Sequence, residues 1–558
     1  MRKTFLLFFL GLAVLAASQA APKGVPLAVP RPSPAAFQAL ETINPERIRA
    51  HVRFLSHDLL EGRGTGQRGG DIAAEYIATQ FALYGLKPVG DNGTYLQKVP
   101  MVGITPSQET TFSLVPASGS RMTLKVLDDY VSYDQTQQPQ SDVDAPIVYV
   151  GYGIHAPEYS WDDYKDTDVR GKVLLMLVNE PASDDPKFFK GKALTYYGRW
   201  TYKYEEAARR GAVGVLLIHQ NEMASYPWEV VRNSNSGEKS YLKLDGTPKL
   251  RAAAWIQLGV ARKLVNGAGL NLEKLMSDAQ TREFKAVALP AKLQARIFSK
   301  IRPFESNNVI AELPGSDPKL KNEAVLYTAH YDHLGIRPEM PGDNIYNGAN
   351  DNATGCGVLL ELARAFGQGA QKPRRSILFA SVTGEEQGLL GSEYLGKHPP
   401  FPAGRITLDL NYDDLPPLGS PEEVEVSGAE RTSFYRIVEA TAKDFRLTIR
   451  PDAHPEAGHF YRSDHFSLAR VGIPSFSINE GVKYKGHDEA WGLQQDQEYN
   501  EKHYHQPSDE YRPDMDFTGD ATMARFGFIL GWQAATLPKV VSWEKGDEFE
   551  AARLKSAE

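Results

Sequence analysis

The chain has 558 residues, 42% of them hydrophobic, and a formal net charge of −8 at neutral pH. This acidity argues against nucleic acid or an anionic membrane surface as a partner, because both favour basic proteins. A chain of this length and hydrophobic content is expected to hold two domains. Its single cysteine, Cys356, excludes an intrachain disulfide, and we interpret it as a small buried filler at a helix start rather than a catalytic thiol.

Residues 1–20 have the pattern of a cleaved secretory signal. Arg2 and Lys3 precede an apolar core, and residues 18–20 form a small-x-small cleavage site. The apolar run is shorter than the roughly 20 residues that a membrane span needs. We therefore predict export to a periplasmic or extracellular location, with no stable membrane insertion. Residues 21–43 are predicted to be a flexible lead-in.

Two apolar runs near the middle of the chain predict buried strands. They cover residues 323–329 and 376–382, and residues 357–366 between them have apolar positions at helical spacing. Strand, helix and strand form a βαβ unit, so the two strands should lie parallel. Their C-terminal ends then meet at one edge of the sheet, where ligands bind in open α/β folds.

Acidic residues and a histidine gather at this predicted edge. His330 and Asp332 follow the first strand, and Glu385 and Glu386 follow the second. Any one of them alone is better explained as a solvated loop residue, but together they would repel one another unless a cation neutralised them. One histidine with several acids suits zinc, and an acid shared between two ions suits a two-metal site.

The alternation of strands and helices along the chain predicts an α/β fold, with a mostly parallel central sheet flanked by helices. We divide it into a first part of the main domain at 44–142, a smaller strand-rich insertion at 143–290, and a second part with the metal site at 291–540. Within the insertion, residues 221–245 are polar and predict a surface loop. Residues 541–558 are predicted to be a charged tail, solvated or disordered.

Further elements are predicted on both sides of the centre. They are helices at 44–59, with Asn44 as the N-cap, and at 72–84, 202–210, 387–396, 431–442 and 518–535, and strands at 145–151, 172–178, 211–218, 405–411 and 472–478.

Six short motifs follow one another along the chain. They are A-H330-Y-D332, G-A-N-D351-N-A-T-G, T-G-E385-E386-Q-G-L-L-G-S, L-N-Y-D413, F-Y-R-S-D464-H465-F and Y-H505-Q-P-S-D-E-Y. In this order they resemble a known family, the dizinc exopeptidases of metallopeptidase family 28, which includes secreted aminopeptidases and glutamate carboxypeptidase. The resemblance covers most of residues 44 to about 537, and the insertion resembles the protease-associated domain.

The resemblance implies a zinc exopeptidase-like fold with two Zn²⁺ ions bridged by Asp351. One ion would also take His330 and Asp413, and the other Glu386 and His505. Asp409 and Asp414 lie close to Asp413 in sequence, so a different register of the motif would make one of them the ligand instead.

The same resemblance implies roles for residues around the ions. Glu385 would be the general base and acid, and Asp332 would hold the His330 ring and fix its tautomer. Tyr461 and Tyr504 could bind the oxyanion or substrate, although buried structural tyrosines explain them equally well.

Two more histidines are given structural interpretations. His333 is interpreted as part of the loop after the strand, and His503 as a surface histidine.

We therefore predict a secreted metallo-aminopeptidase acting on peptides with a free N-terminus. The alternatives are a carboxypeptidase or a glutaminyl cyclase of the same family, or a binding protein on an inactive peptidase scaffold. A carboxypeptidase needs basic groups for the substrate carboxylate, whereas an aminopeptidase needs acids for the free ammonium. A binding protein would have lost metal ligands, and all five are present here.

Overall fold

The computed structural model describes residues 33–556 apart from 118–119, 225, 236 and 339. The predicted secretory signal at residues 1–20 lies outside this part of the chain. Among the residues described, no helix combines the length and the apolar character needed to cross a membrane.

The strand Ala324–His330 lies inside the sheet that carries the predicted site. It pairs in parallel with Ser376–Val382 on one side and with Ile406–Asn411 on the other, and the latter pairs in parallel with Ser475–Ser477. Every residue of the first three strands is buried, because helices cover both faces of the sheet. The predicted parallel βαβ unit is confirmed, with its helix at Gly355–Gly367.

A 27-residue strand, Val287–Leu313, joins this part of the sheet to the rest. Its C-terminal portion pairs antiparallel with Ser376–Val382 and Leu96–Pro106. Its N-terminal portion pairs antiparallel with Thr111–Pro116 and Gln140–Tyr149. The boundary predicted at residue 290 therefore falls within one continuous strand, and the extent of the insertion stays a prediction.

A second parallel set follows within the predicted insertion. Its strands are Gln140–Tyr149, Val173–Leu177, Gly214–His219 and Ala252–Gln257, and Tyr130–Tyr133 pairs antiparallel at its edge. The predicted α/β class is confirmed, and the sheet is mixed because antiparallel pairs along Val287–Leu313 join two parallel sets.

The helices pack on the faces of this sheet. Asn44 caps the first predicted helix, since its side-chain oxygen accepts a hydrogen bond from the Glu46 N–H at 2.9 Å. In the described part of the chain, the α-helices of six or more residues are Pro34–Glu41, Pro45–Leu55, Arg68–Leu83, Trp200–Arg209, Trp228–Ser234, Leu258–Gly267, Leu272–Asp278, Gly355–Gly367, Leu390–Lys397, Tyr435–Phe445, His465–Arg470, Glu489–Lys502, Thr518–Thr536 and Glu550–Ser556.

Part of the segment predicted as a surface loop at 221–245 is regular. Trp228 begins a helix and is buried, and its indole N–H donates to the Leu127 carbonyl at 2.9 Å. The strand Lys239–Leu242 pairs antiparallel with Leu96–Pro106. The loop prediction was wrong there because polar composition hid the few apolar side chains that pack against the sheet.

The prediction of a solvated or disordered tail was also wrong for the described residues up to 556. Trp543 and Phe549 are buried, and Glu550–Ser556 is a helix. Arg553 is buried with them and donates hydrogen bonds to the carbonyl oxygens of Ala403, Ile406 and Val541 at 3.0, 2.9 and 3.1 Å. The charged composition suggested solvent exposure, but the Arg553 guanidinium is buried because it donates hydrogen bonds to carbonyl oxygens of neighbouring segments.

We expect Arg553→Ala to destabilise the fold by about 2–3 kcal/mol, because three buried carbonyl oxygens lose their donor. The thermal unfolding midpoint measures this effect. Lys555→Ala on the same helix is the matched control, since Lys555 is exposed. Equal midpoints for the two variants would contradict the assigned role of Arg553.

Candidate metal centre

The ends of the parallel strands bring the predicted ligands together. The strand Ala324–His330 ends in the first of them, and two more follow Ser376–Val382 and Ile406–Asn411. Another lies in the turn that precedes the helix Gly355–Gly367, and the last follows Glu489–Lys502. In chain order these ligands are His330, Asp351, Glu386, Asp413 and His505.

The first cluster forms around the His330 ring. Its Nε2 lies 3.0 Å from Asp413 Oδ1 and 3.4 Å from Asp351 Oδ1. These three residues form a group that could hold a metal ion. Burial alone would lower the pKa of His330, but the carboxylates of Asp413 and Glu385 raise it well above its usual range.

The second cluster uses the other oxygen of Asp351. Asp351 Oδ2 lies 3.1 Å from His505 Nε2, and the same nitrogen lies 3.2 Å from Glu386 Oε2. The two oxygens of one carboxylate therefore face two separate sets of ligand atoms, as a bridging ligand must.

His333 also belongs to this second cluster, and the sequence interpretation of it as a loop residue missed this. It is fully buried, and its Nδ1 lies 2.6 Å from Glu386 Oε1 and 3.7 Å from Asp351 Oδ2. With Glu386 and Asp351 it forms the second group that could hold a metal ion. Its position three residues after His330 was the only signal in the sequence.

The residues fit zinc. Zn–N and Zn–O bonds of about 2.0–2.2 Å place neighbouring ligand atoms roughly 3.3 Å apart, close to the separations in both clusters. The contact between His333 and Glu386 lacks the alignment of a hydrogen bond, and among the residues described neither ring nitrogen of His333 nor Glu386 Oε1 has a hydrogen-bond partner. Buried atoms with free lone pairs facing each other are stabilised by a cation.

Asp332 lies close to the His330 ring, and its expected role in holding that ring stays a prediction. Its main-chain oxygen lies 3.1 Å from His330 Nδ1, and its carboxylate Oδ1 lies 3.9 Å from the same nitrogen. The carboxylate accepts hydrogen bonds from the Thr65 hydroxyl at 2.7 Å and from the Glu385 main-chain N–H at 3.2 Å. Asp332 thereby connects the end of one strand to the loop that carries the predicted general base.

Glu385 and Glu386 are adjacent but point to different surroundings. Glu385 Oε2 lies 4.0 Å from His330 Nε2, beside the first cluster. Burial raises the pKa of Glu385 well above its usual range, and the neighbouring carboxylates add to the effect. Burial acts in the same direction on Glu386, but His505 and His333 lower its pKa to about 2. When their surroundings move the pKa values of two carboxyl groups apart in this way, the group with the raised pKa suits proton transfer and the group with the lowered pKa suits metal ligation.

Two hydrogen-bonded supports hold the carboxylate ligands. Asp509 is buried, and its carboxylate oxygens accept the main-chain N–H groups of Asn350 and Asp351 at 2.9 and 3.1 Å. The Ser463 hydroxyl donates to Asp413 Oδ2 at 2.6 Å. Neither support was singled out from the sequence, although both residues lie inside the quoted motifs.

The two tyrosines have different positions. The Tyr504 ring is partly exposed and stacks on the His505 ring, with centroids 4.0 Å apart. Tyr461 is buried, and its hydroxyl donates to Glu548 at 2.6 Å. Its hydroxyl is therefore not among the groups that the structure brings to the clusters.

Two remaining sequence neighbours lie outside the clusters. Asp409 is buried in its strand and accepts a hydrogen bond from Thr328 at 3.0 Å. His503 is partly exposed and contacts the Ser508 hydroxyl at 2.9 Å. The register that makes Asp413 the ligand therefore agrees with the observed geometry.

A cleft of about 870 Å³ opens onto the first cluster. His330, Asp351, Asp413 and Glu385 are among the residues that line it. The exposed side chains of the helix Glu489–Lys502 form part of its wall. A substrate can therefore reach the candidate metal ligands and Glu385 from solvent.

Comparisons with known proteins agree with this chemistry. Residues 308–526 match the model of peptidase family M28. Over 249 residues the chain is 27% identical to leupeptin-inactivating enzyme 1 of Streptomyces exfoliatus. This alignment covers 44% of this chain and 51% of the relative. The chain is 36% identical over 95 residues to a probable zinc metalloprotease of Pyrenophora teres f. teres (strain 0-1), covering 17% of this chain and 19% of the relative. The match spans about a fifth of the length of the first curated relatives.

Solved structures with a related arrangement include an aminopeptidase from Aneurinibacillus sp. strain AM-1. It is 20% identical with a TM-score of 0.47, covering 92% of this chain and 98% of that one. A zinc aminopeptidase from Bacillus subtilis is 17% identical with a TM-score of 0.42, covering 91% and 97% of the two chains.

Proposed function

We propose that the chain is a zinc-dependent aminopeptidase, and the match of residues 308–526 to the model of peptidase family M28 supports this proposal. The observation that carries the proposal is the position of Asp351, which lines an open cleft and whose two oxygens face separate ligand clusters. His330 and Asp413 would complete one zinc site, and Glu386, His505 and His333 the other.

The chain's own residues supply the proton transfers. When bound, the zinc ions would supply Lewis acidity and lower the pKa of a coordinated water from 15.7 to roughly 7. Glu385 accepts a proton from the attacking water on a carboxylate oxygen and then delivers it to the nitrogen of the departing amine. Asp332 holds the main-chain N–H of Glu385 and so keeps this carboxylate beside the first cluster.

The charges in the cleft favour attack from the N-terminus. Three arginines line the cleft. Arg450 contacts Glu423 and Glu489 and Arg512 lies near Asp514, whereas Arg462 donates to the neutral Ala457 carbonyl. A carboxypeptidase needs a cation for the substrate carboxylate, but the groups beside the metal clusters are acids, which suit a free ammonium.

We also keep the prediction of export as part of the proposal. A secreted enzyme of this kind would act on peptides in the periplasm or outside the cell. A fusion of residues 1–30 to a reporter enzyme tests this directly, since export and cleavage after Ala20 are the expected result.

Metal removal should abolish turnover. We expect the purified protein to cleave leucyl-p-nitroanilide, to lose this activity after dialysis against a zinc chelator, and to regain it when two equivalents of zinc are added. Hydrolysis of the anilide and the zinc content of each sample are the two measurements.

Blocked substrates test the direction of attack. N-acetyl-leucyl-p-nitroanilide should not be cleaved, because its amide cannot replace the free ammonium. Release of C-terminal residues from N-acetylated peptides would contradict the aminopeptidase assignment and favour a carboxypeptidase. Chelator-resistant activity would contradict the metal-dependent mechanism.

A further inference from the structure

The glycine-rich segment 61–66 packs against the strand end that carries His330. Its residues 61, 62 and 63 all have a φ in the left-handed region, at +51°, +66° and +49°. Glycine adopts this region freely, but a long side chain such as Arg63 stays there only where its surroundings hold it. A Cβ atom at residue 62 would lie only 2.6 and 2.5 Å from the carbonyl oxygens of Gly335 and Tyr346. The segment is therefore fitted closely to the loops that follow His330.

The Arg63 side chain joins several segments around the candidate metal centre. It is fully buried, and its guanidinium donates four hydrogen bonds, all to main-chain carbonyl oxygens. Nε donates to Tyr331 at 2.7 Å, Nη2 donates to Gly348 at 2.8 Å, and Nη1 donates to Leu55 and Asn347 at 2.6 Å each. One side chain thus connects a strand end, a turn and the end of an N-terminal helix.

These contacts lie next to candidate zinc ligands of both clusters. One carbonyl acceptor directly follows His330 in the chain, and another lies three residues before Asp351. The main-chain oxygen of Arg63 also accepts the main-chain N–H of His333 at 3.2 Å. Because the backbone fixes where each ligand side chain begins, Arg63 helps to set the separations between the ligand atoms.

Arg63 also brings a positive charge to an acidic site. Burial lowers the pKa of Arg63, and the carboxylates of Asp351, Asp509 and Asp332 oppose that shift. A guanidinium keeps its charge in proteins even when its pKa is lowered. This charge offsets part of the repulsion between the carboxylates, in addition to the four hydrogen bonds.

A second residue of the segment acts on the proposed general base rather than on the ligands. The Thr65 hydroxyl donates to Asp332 Oδ2 at 2.7 Å, and Asp332 Oδ1 accepts the Glu385 main-chain N–H at 3.2 Å. A hydrogen bond to a carboxylate fixes the direction of that carboxylate. Thr65 therefore acts on the backbone of Glu385 through one intervening residue.

We propose that the segment 61–66 positions the metal centre through two separate contacts. Arg63 is a positioning residue for the zinc ligands, and Thr65 is a positioning residue for Glu385. This inference rests on the proposed zinc-dependent function, and it adds the residues that set metal affinity and turnover independently of each other.

Variants of Arg63 are expected to weaken zinc binding. Arg63→Gly removes the side chain and accepts the left-handed φ, so the backbone angle is kept. We expect its zinc affinity to fall by about 10–100-fold, the range for partners that orient metal ligands. Arg63→Lys keeps the charge but lacks the planar fork that reaches four carbonyl oxygens, so its affinity should be intermediate. Competition with a chromophoric zinc chelator measures the affinity at a temperature where circular dichroism shows each variant to be folded.

Variants of Thr65 are expected to change turnover and keep the zinc. Thr65→Val removes the hydroxyl, and kcat for leucyl-p-nitroanilide should fall about tenfold with KM and zinc affinity unchanged. Thr65→Ser keeps the hydroxyl and should retain most of kcat. Arg68→Ala is the matched control for both sets, because Arg68 is exposed and pairs with Glu61 at 2.8 Å. It should change neither zinc affinity nor kcat.

The zinc affinity of the folded Arg63 variants decides the first assignment. If Arg63 served only the fold, its variants would have a lower thermal unfolding midpoint and an unchanged zinc affinity, and that result would overturn the proposal. Failure of both Arg63 variants to fold would overturn it as well, because Arg63 would then be required for the fold rather than for the site.

The second assignment has its own contrary result. Loss of zinc from Thr65→Val, or an unchanged kcat in that variant, would overturn the separate role of Thr65. The zinc measurements need no turnover. If the unaltered protein hydrolyses no aminoacyl anilide while Arg63→Lys still weakens zinc binding, only the proposed function is contradicted.

Discussion

Glu385→Gln is expected to keep its zinc and to lose about 10²–10⁴-fold in kcat. Glutamine has nearly the same shape, but it cannot accept the proton of the attacking water at neutral pH. Glu385 lies 4.0 Å from the nearest atom of His330 and is not in either group that could hold a metal, so its replacement leaves the ligand sets complete. Zinc content by mass spectrometry and turnover of an aminoacyl anilide are measured on the same preparation.

Two control variants make this result specific. Glu386→Gln should lose zinc as well as turnover, because Glu386 contacts both His333 and His505. Glu393→Gln, on the helix that follows, should change neither quantity, since Glu393 pairs with Lys397 at 2.9 Å. A zinc-depleted Glu385→Gln protein would contradict the division of roles between the two adjacent glutamates.

The proposed division of roles would depend on Asp332. Adjacent residues in extended backbone point in opposite directions, so the loop after Ser376–Val382 would have to turn one carboxylate towards the ligands and leave the other near the proposed attacking water. The Glu385 N–H donates to Asp332, which also accepts from Thr65. The loop is therefore held to the end of the neighbouring strand, and Glu385 stays beside the first cluster.

The strands that carry the site could be predicted well from the sequence. Continuous apolar runs are typical of strands buried on both faces, and Ser376–Val382 was predicted residue for residue. Because parallel strands end at one edge, the approach of Glu385 to His330 followed from the topology. Asp413 and His505 needed the family resemblance, since neither follows from the βαβ unit alone.

Other features depend on contacts between segments far apart in the chain. His333 contacts Glu386 across two strand ends, and its spacing of three residues from His330 was too weak a signal to identify it as a ligand. Helix Glu489–Lys502 was missed because only Gly492 of its residues is buried, which leaves no apolar face to detect. Arg553 lies in a segment whose charged composition is typical of a solvated tail, but its guanidinium donates hydrogen bonds to carbonyl oxygens about 150 residues earlier in the chain.

Asp351→Asn is expected to remove both zinc ions. The carboxylate offers Oδ1 to the cluster of His330 and Oδ2 to the cluster of His505, so it is the one ligand that both ions would share. An asparagine has a single oxygen and no charge, and the remaining acids then repel one another with less compensation. Changing a residue that merely supports a ligand weakens metal affinity by about 10–100-fold, and loss of the shared ligand should exceed that.

Asp413→Asn distinguishes a shared ligand from an ordinary one. It alters only the first cluster, because Asp413 contacts His330, whereas His505 of the second cluster contacts Asp351 and Glu386. We expect it to retain about one zinc per chain, held by the second cluster, whereas Asp351→Asn retains none after dialysis. Metal content by mass spectrometry and competition with a chromophoric zinc chelator measure the difference. An Asp351→Asn protein that still holds two zinc ions would contradict the bridging role, because separate ligand sets would then suffice for each ion.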